Sequence, residues 1–307
     1  MSRPPIQSGQ EISVQSLSGD SPPVDLRIGA IEQRNWSRVA VAEATETGKR
    51  YFVKQYLDKA GVGHPHHWEY EKDGALLAAE ALDGVAHVPT LMFRDEASLM
   101  NVFEYASIVS IDVLLRKDPV AFERSFLSVV RRMAQALEAL QAEGKRLQGT
   151  GIRTKSRDYG GSPDALTFKG FEIRNVGISP EAPAEVHAAD LVLFDFVRPY
   201  LAPPEEAAAK LFVSIGMLNW GSPVSRFMKG PDPKLLALSY PLLKPWLDKR
   251  AIAAEIDLQE RFRMVELKSG GNLEKVLKRI AMLVLGRKYL HEVRSWCNKN
   301  IGSGAKL

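Results

Sequence analysis

The fold of this chain turns on Thr167–Ser179, TFKGFEIRNVGIS, read together with Leu191–Phe196, LVLFDF. In the first stretch Asn175 opens a short apolar run, Val176-Gly177-Ile178; in the second, Asp195 closes a denser one. Asn and Asp favour turns and strand ends because their short side chains bond nearby backbone. Two oxygen-bearing side chains at the ends of neighbouring strands also offer hard ligands for a divalent cation. What surrounds the pair in the chain decides between these readings.

A length of 307 residues allows one large domain or two lobes, with room for a sizeable core. The 45% hydrophobic and 25% charged content is ordinary for a globular protein. No window approaches the roughly 18 consecutive apolar residues of a membrane span. The opening MSRPPIQSGQ has no apolar core after its arginine and does not read as a secretory signal. The single cysteine, Cys297, leaves no internal disulfide framework and fits a reducing compartment, so a cytoplasmic protein is expected. The net charge of +4 is unevenly placed: Arg261–Asn300 carries ten Lys/Arg against three Asp/Glu. Such a run reads as a solvated helix face, or as a surface for an anionic membrane or polyanion. Nothing resembles a nucleic-acid module.

Residues 1–23 are rich in Ser, Pro, Gly and Gln and are expected to form a disordered tail. Order is expected from Val24. Arg38–Ala44 and Arg50–Tyr56 alternate as hairpin strands around Glu46-Thr47-Gly48-Lys49. Good helix formers run from about Trp68 to Leu82, and Val88–Phe93 and Leu99–Tyr105 read as two further strands. After Ala106 the pattern turns helical. Phe122, Phe126, Val129, Val130, Met133, Leu137 and Leu140 form one apolar stripe, and everything from Pro203 onward is helical in pattern.

A small sheet with one helix, followed by a helical region holding a polar hairpin, resembles the protein-kinase-like fold. The resemblance is to its small-molecule branch: aminoglycoside and choline phosphotransferases and lipopolysaccharide core kinases. Four stretches carry it. IGAIEQRNWSRVAVAEATETGKRYFVKQY (28–56) is similar to the first three strands, EYEKDGALLAAEAL (69–82) to the helix that follows, LMNVFEYAS (99–107) to the strand and hinge, and IRNVGI with LVLFDF to the metal-binding hairpin. The fold class implied is α+β and two-lobed: a five-stranded antiparallel N-terminal sheet with one helix over 24–106, and a mostly helical lobe over 107–307.

The resemblance also implies roles. Lys54 takes the place of the strand-three lysine that holds nucleotide phosphates, and Glu71 that of its pairing glutamate, with Glu69 a competitor two residues away. Glu104 and Tyr105 fall at the hinge over which adenine lies. Asn175 and Asp195 become Mg²⁺ ligands, so ATP and Mg²⁺ are the implied cofactors, with a sugar, glycolipid or other small hydroxyl compound as acceptor. A strand-edge lysine guarding against aggregation and a turn aspartate remain the alternatives for Lys54 and Asp195.

Two departures stand out. The position five residues before Asn175, where this fold places the aspartate that orients the accepting hydroxyl, holds Gly170. Glu172 is the nearby carboxylate and the candidate to replace it as a catalytic group. The nucleotide-covering loop has Gly29 and then no glycine through Ser37, which weakens a backbone phosphate cradle; Arg34 is a candidate substitute. These departures imply a second function, a pseudokinase that serves as scaffold or allosteric partner to another protein. His64, His66 and His67 read as a solvated loop before the helix rather than a zinc site. The insert between Gly149 and Phe168, with Arg153, Lys155, Arg157 and Asp158, suits either an anionic acceptor or a surface loop. Trp220, Trp246 and Trp296 read as core.

Overall fold

A computed structural model describes residues 4–17, 22–34, 36–58, 60–155, 161–181, 184–218, 233–268, 287–288 and 290–301, with side chains of the 249–268 helix placed to 261. The chain divides into two compact units. The first comprises Met1–Ile108, Phe168–Gly170 and Val192–Pro199; the second comprises Val109–Thr167, Phe171–Leu191 and Tyr200–Leu307.

The first unit is built on a sheet closed into a barrel. Its strands are β1 (Glu11–Ser16), β2 (Val24–Gln33), β3 (Arg38–Ala44), β4 (Arg50–Gln55), β5 (Leu91–Asp95) and β6 (Met100–Glu104). They run in the order β1-β2-β3-β4-β6-β5, and β5 pairs back onto β1. The 38–44/50–56 hairpin is present, with Ala40 opposite Val53. Every described pairing around the barrel is antiparallel. Alternation sends Val14, Leu26, Ile28, Ala40, Tyr51, Val53, Met100 and Val102 into one interior core. The intervening residues of β4, Phe52 and Lys54, point out of the barrel.

The expected five-stranded sheet is therefore six-stranded, and the extra strand comes from the expected disordered tail. Ile12 and Val14 alternate within EISVQS, a period-two signal that the surrounding Ser and Gln obscure. Ile6 is buried as well, and its segment is tied down by Gln55. The Gln55 carboxamide accepts from Ile6 N–H at 2.9 Å and donates to the Pro4 carbonyl at 3.1 Å. Closing the barrel removes the open edges that a five-stranded sheet would leave.

Helix α1 (Pro65–Ala81) crosses outside the barrel. It starts earlier than the sequence suggests, because Pro65 suits the first turn, where its fixed φ helps and its missing N–H costs nothing. His66 and His67 are thus helical residues, not loop. The stretches Phe168–Gly170 and Val192–Pro199 join this unit, unlike a single cut between residues 106 and 107. Leu193 N–H donates to the His87 carbonyl at 3.0 Å, and the Phe168 and Phe196 rings meet edge-on at 4.8 Å.

The second unit carries α2 (Ile111–Lys117), α3 (Pro119–Arg146), α4 (Pro204–Gly216), α5 (Pro233–Leu243) and α6 (Lys249–Lys268). Asp118 caps α3 by accepting from Ala121 N–H at 2.9 Å. The predicted apolar stripe, Phe122 to Leu140, is the buried face of that helix. Short strands complete the unit: β7 (Val109–Ser110) pairs with β9 (Val176–Ile178), and β8 (Ala165–Thr167) pairs with β11 (Tyr200–Ala202). No helix among the described residues is long and apolar enough to cross a membrane. Residues 269–286 and 289 of the basic Arg261–Asn300 run, together with Trp220, Arg157 and Asp158, lie outside the described residues.

Candidate functional site

Lys54 sits in the middle of β4, opposite Val39 of β3 and Asn101 of β6, so its backbone is held on both sides. Its side chain leaves the barrel towards α1. There its ammonium meets Glu71 Oε1 at 2.7 Å and Asp195 Oδ1 at 2.7 Å. Lys54 and Glu71 side chains are 12% and 5% exposed, while Asp195 is 40% exposed. This removes the ambiguity between the two glutamates: Glu71 faces Lys54, and Glu69 pairs with Arg94 at 2.9 Å.

Three residues unmarked in the sequence reading hold α1 in this register. The Trp68 indole N–H donates to the Met100 carbonyl at 3.1 Å, and the Asn101 amide donates to the Trp68 carbonyl at 3.2 Å. Arg94 lies 3.6 Å over the Trp68 ring and donates to Asn101 Oδ1 at 3.2 Å. A buried amide among the apolar residues of LMNVF was the available signal, since a buried polar group needs partners.

Asp195 follows β10 (Leu191–Leu193) and has φ of 67°, a left-handed conformation uncommon outside glycine but best tolerated by Asn and Asp. Arg198 has φ of 54°. Such backbone costs about 1–3 kcal/mol and persists where surroundings over-determine it. Here Val197 N–H donates to the Asp195 carbonyl at 3.0 Å and Lys169 N–H to the Val197 carbonyl at 2.9 Å.

The electrostatics are those of one cation between two anions. Burial works against the Lys54 charge, but the Asp195 and Glu71 carboxylates more than reverse it and hold its pKa above lysine's ordinary value. Burial pushes Glu71 up to about 7, with Lys54 pulling it down and Asp195 adding to the rise. Glu71 Oε2 is buried without a hydrogen-bond partner, although the Asn101 side chain is close enough to favour the ionised form. Among the described residues no group of three or more His, Cys, Asp or Glu side chains is arranged to hold a metal. A cation here would need Asp195 together with amide and ligand oxygens.

The remaining sequence candidates fall as follows. Glu104 ends β6; its backbone N–H donates to the Thr90 carbonyl at 2.8 Å, and its carboxylate lies 3.5 Å from His87. Tyr105 follows it and carries Arg50 over its ring at 4.3 Å. Gly29 lies at a register shift between β2 and β3, where an added Cβ would come within 2.6 Å of the Val41 carbonyl. Its lack of a side chain is accounted for by strand packing. Arg34 is exposed and pairs with Glu32 at 3.3 Å, so it forms a surface pair and not a preformed phosphate ligand. Trp36 in the same loop stacks on His67 at 6.1 Å and meets His64 edge-on at 5.1 Å. Burial, together with the nearby cations of Arg198, Lys169 and Lys54, holds His67 down at about 4.

In the second unit, Asn175 ends a single helical turn, Ile173–Asn175, just before β9. Its N–H donates to the Glu172 carbonyl at 3.0 Å, and Ile173 N–H donates to Ser214 Oγ of α4 at 3.0 Å. The Glu172 carboxylate is nearly buried and pairs with Arg174 at 2.5 Å. One helical turn from Ser214, Lys210 joins a buried network: it donates to the Tyr200 hydroxyl and lies 3.3 Å from Glu206. Tyr200 donates to Glu206 at 2.6 Å, and Lys155 of the insert pairs with Glu206 at 3.2 Å. Lys155 is therefore engaged within the unit. Trp296 packs against Phe212 and Tyr240.

No family model matches the chain, and no curated protein is similar to it. Solved structures to which it is similar have kinase folds. A Plasmodium vivax ethanolamine kinase aligns with a TM-score of 0.42 at 9% identity, over 84% of this chain and 81% of its own. A Toxoplasma gondii virulence factor with a protein-kinase fold and no enzymatic activity gives 0.47 at 14%, over 91% and 88%. The Mycobacterium tuberculosis PknI kinase domain gives 0.40 at 14%, over 78% and 90%. At these identities and TM-scores the likeness says nothing of what the chain does, which is argued from its own lysine, glutamate and aspartate.

Proposed function

We propose that the first unit binds ATP with Mg²⁺ at Lys54, Glu71 and Asp195, and that the chain is an atypical kinase-like phosphotransferase acting on a sugar, glycolipid or other small hydroxyl acceptor. The observation that carries this reading is the single ammonium of Lys54 set 2.7 Å from each of two carboxylates contributed by separate segments.

Phosphoryl transfer asks for charge neutralisation and alignment more than for covalent help. Lys54 supplies a permanent cation for phosphate oxygens. Glu71 keeps that cation aimed, because leaving the glutamate would strand a buried carboxylate. Asp195 is the proposed carboxylate ligand of the first unit for Mg²⁺, which when bound would neutralise phosphate charge. Glu104 and Tyr105 are the proposed adenine-edge residues. Calorimetric titration of the wild type with ATP in Mg²⁺ should show saturable binding, lost in Lys54→Ala; absence of binding to the wild type would refute the reading.

One observation favours a second reading. Gly170 brings no carboxylate to the position where an accepting hydroxyl is oriented, and Glu172 is held in an ion pair with Arg174. A nucleotide-binding pseudokinase that acts on a protein partner needs neither. Glu172→Gln separates the readings: lost turnover with ATP binding intact supports the transferase with Glu172 as its catalytic group. An absence of turnover in wild type across sugar, aminoalcohol and glycolipid acceptors supports the pseudokinase.

A further inference from the structure

Helix α1 contains a glycine where a helix gains nothing from one. Gly74 lies mid-helix, one turn beyond Glu71, with an ordinary helical φ. Glycine there is less favourable than alanine, since its backbone has more freedom to lose and no side chain to bury. Both neighbouring turns of the same buried face carry larger residues, Glu71 and Ala78.

The reason is on the other side of the contact. The Phe196 carbonyl oxygen is pressed against the helix at this position. A Cβ added to Gly74 would lie 1.8 Å from that oxygen, 2.8 Å from the Phe196 carbonyl carbon and 3.4 Å from the Phe196 Cβ. The atoms met are backbone, so no rotamer change relieves the overlap. The Phe196 ring also meets the Phe168 ring edge-on at 4.8 Å. The residue before Phe196 is Asp195, which has φ of 67° and whose carboxylate meets the Lys54 ammonium at 2.7 Å.

We propose that Gly74 is the positioning residue of the Asp195 turn: the missing side chain at 74 admits the Phe196 carbonyl, and that close approach sets the left-handed backbone which places Asp195 on Lys54. Glu71 and Gly74 then act from one helix on the two carboxylate arms of the site, Glu71 directly and Gly74 through the turn. The inference builds on the proposed nucleotide site, but it concerns the geometry of the unliganded chain.

Its test needs no nucleotide. Lys54 held between two carboxylates reacts slowly with a lysine-acylating reagent, and losing one partner exposes more free amine. Site-resolved acylation rates, read by mass spectrometry at fixed pH, are compared among wild type, Asp195→Ala and Gly74→Ala, with the other lysines as internal references. Gly74→Ala is expected to raise the Lys54 rate severalfold, as far as Asp195→Ala does, because both take the Asp195 carboxylate off the ammonium. A Lys54 rate unchanged from wild type in folded Gly74→Ala overturns the proposal. Should Gly74→Ala not fold, it is introduced into Asp195→Gly, where a glycine at 195 lets the turn move aside. Recovery of a cooperative fold in the double variant supports the proposal; failure to fold in both backgrounds shows a packing role only and overturns it. A chain that binds no ATP leaves these rates readable, so the two accounts fail separately.

Discussion

Asp195 reaches Lys54 across 141 residues of sequence and meets its ammonium at 2.7 Å, the same separation at which Glu71 meets it from α1. A lysine on an apolar strand is thereby turned into a fixed cation with two anionic neighbours.

Removing that cation should cost most where both carboxylates are ionised. Lys54→Met is predicted to destabilise the unliganded protein by about 3 kcal/mol at pH 8, since breaking a buried pair strands a charge. The cost should shrink at pH 5, where Glu71 carries a proton. Urea unfolding at the two pH values measures both, and equal losses would contradict the assignment of Glu71 as the stranded group.

Glu71 has its own pH signature. Its pKa is raised in the folded protein from about 4.5 to about 7, so the folded state holds a proton that the unfolded state releases. That stability is fully present below about pH 4.5 and is lost as pH rises through 7. Relative to Glu71→Gln, wild type should lose roughly 3 kcal/mol at most over this window. Chemical denaturation of both proteins from pH 4.5 to 8 tests the sign as well as the size.

The barrel closure depends on Gln55, whose carboxamide bonds Ile6 N–H, the Pro4 carbonyl and the Ser98 carbonyl in a fully buried position. Gln55→Ala leaves those groups unsatisfied and is predicted to cost about 1–3 kcal/mol. Amide exchange should then rise first in residues 4–16. Exchange spread evenly through the barrel would argue against a local strap.

In the second unit, burial raises the Tyr200 hydroxyl to about 12, and it stays protonated as a donor to Glu206. Lys210→Met removes the cation beside them and is predicted to cost about 3–5 kcal/mol at pH 7. Lys155→Met, at a more exposed partner of the same glutamate, should cost far less. Paired melting curves decide, and similar losses would contradict a buried origin.

Much of this was legible in the sequence because it was local. The β3–β4 hairpin shows in alternation around a turn, α3 in its apolar stripe, and Lys54 and Asp195 in their apolar runs. What escaped is long-range. Strand β1 hid in a Ser- and Gln-rich segment, because its partners β2 and β5 complete a surface that EISVQS alone does not announce. Glu71 and Glu69 are equivalent by composition, and only the helix face separates them. Gly74 looked like an ordinary residue of α1, since the carbonyl that requires it lies 122 positions away in the chain. Asp195's left-handed backbone has no sequence signature beyond an aspartate that tolerates it.

The most direct measurement is the melting temperature of wild type and Asp195→Ala with ATP, with and without Mg²⁺. At a hundredfold excess over its dissociation constant, nucleotide should stabilise wild type by about 2.7 kcal/mol, a rise of a few degrees. The rise should require Mg²⁺ and vanish in Asp195→Ala. Melting temperatures of wild type that do not move with ATP and Mg²⁺, or a shift that survives the loss of Asp195, would contradict the nucleotide site.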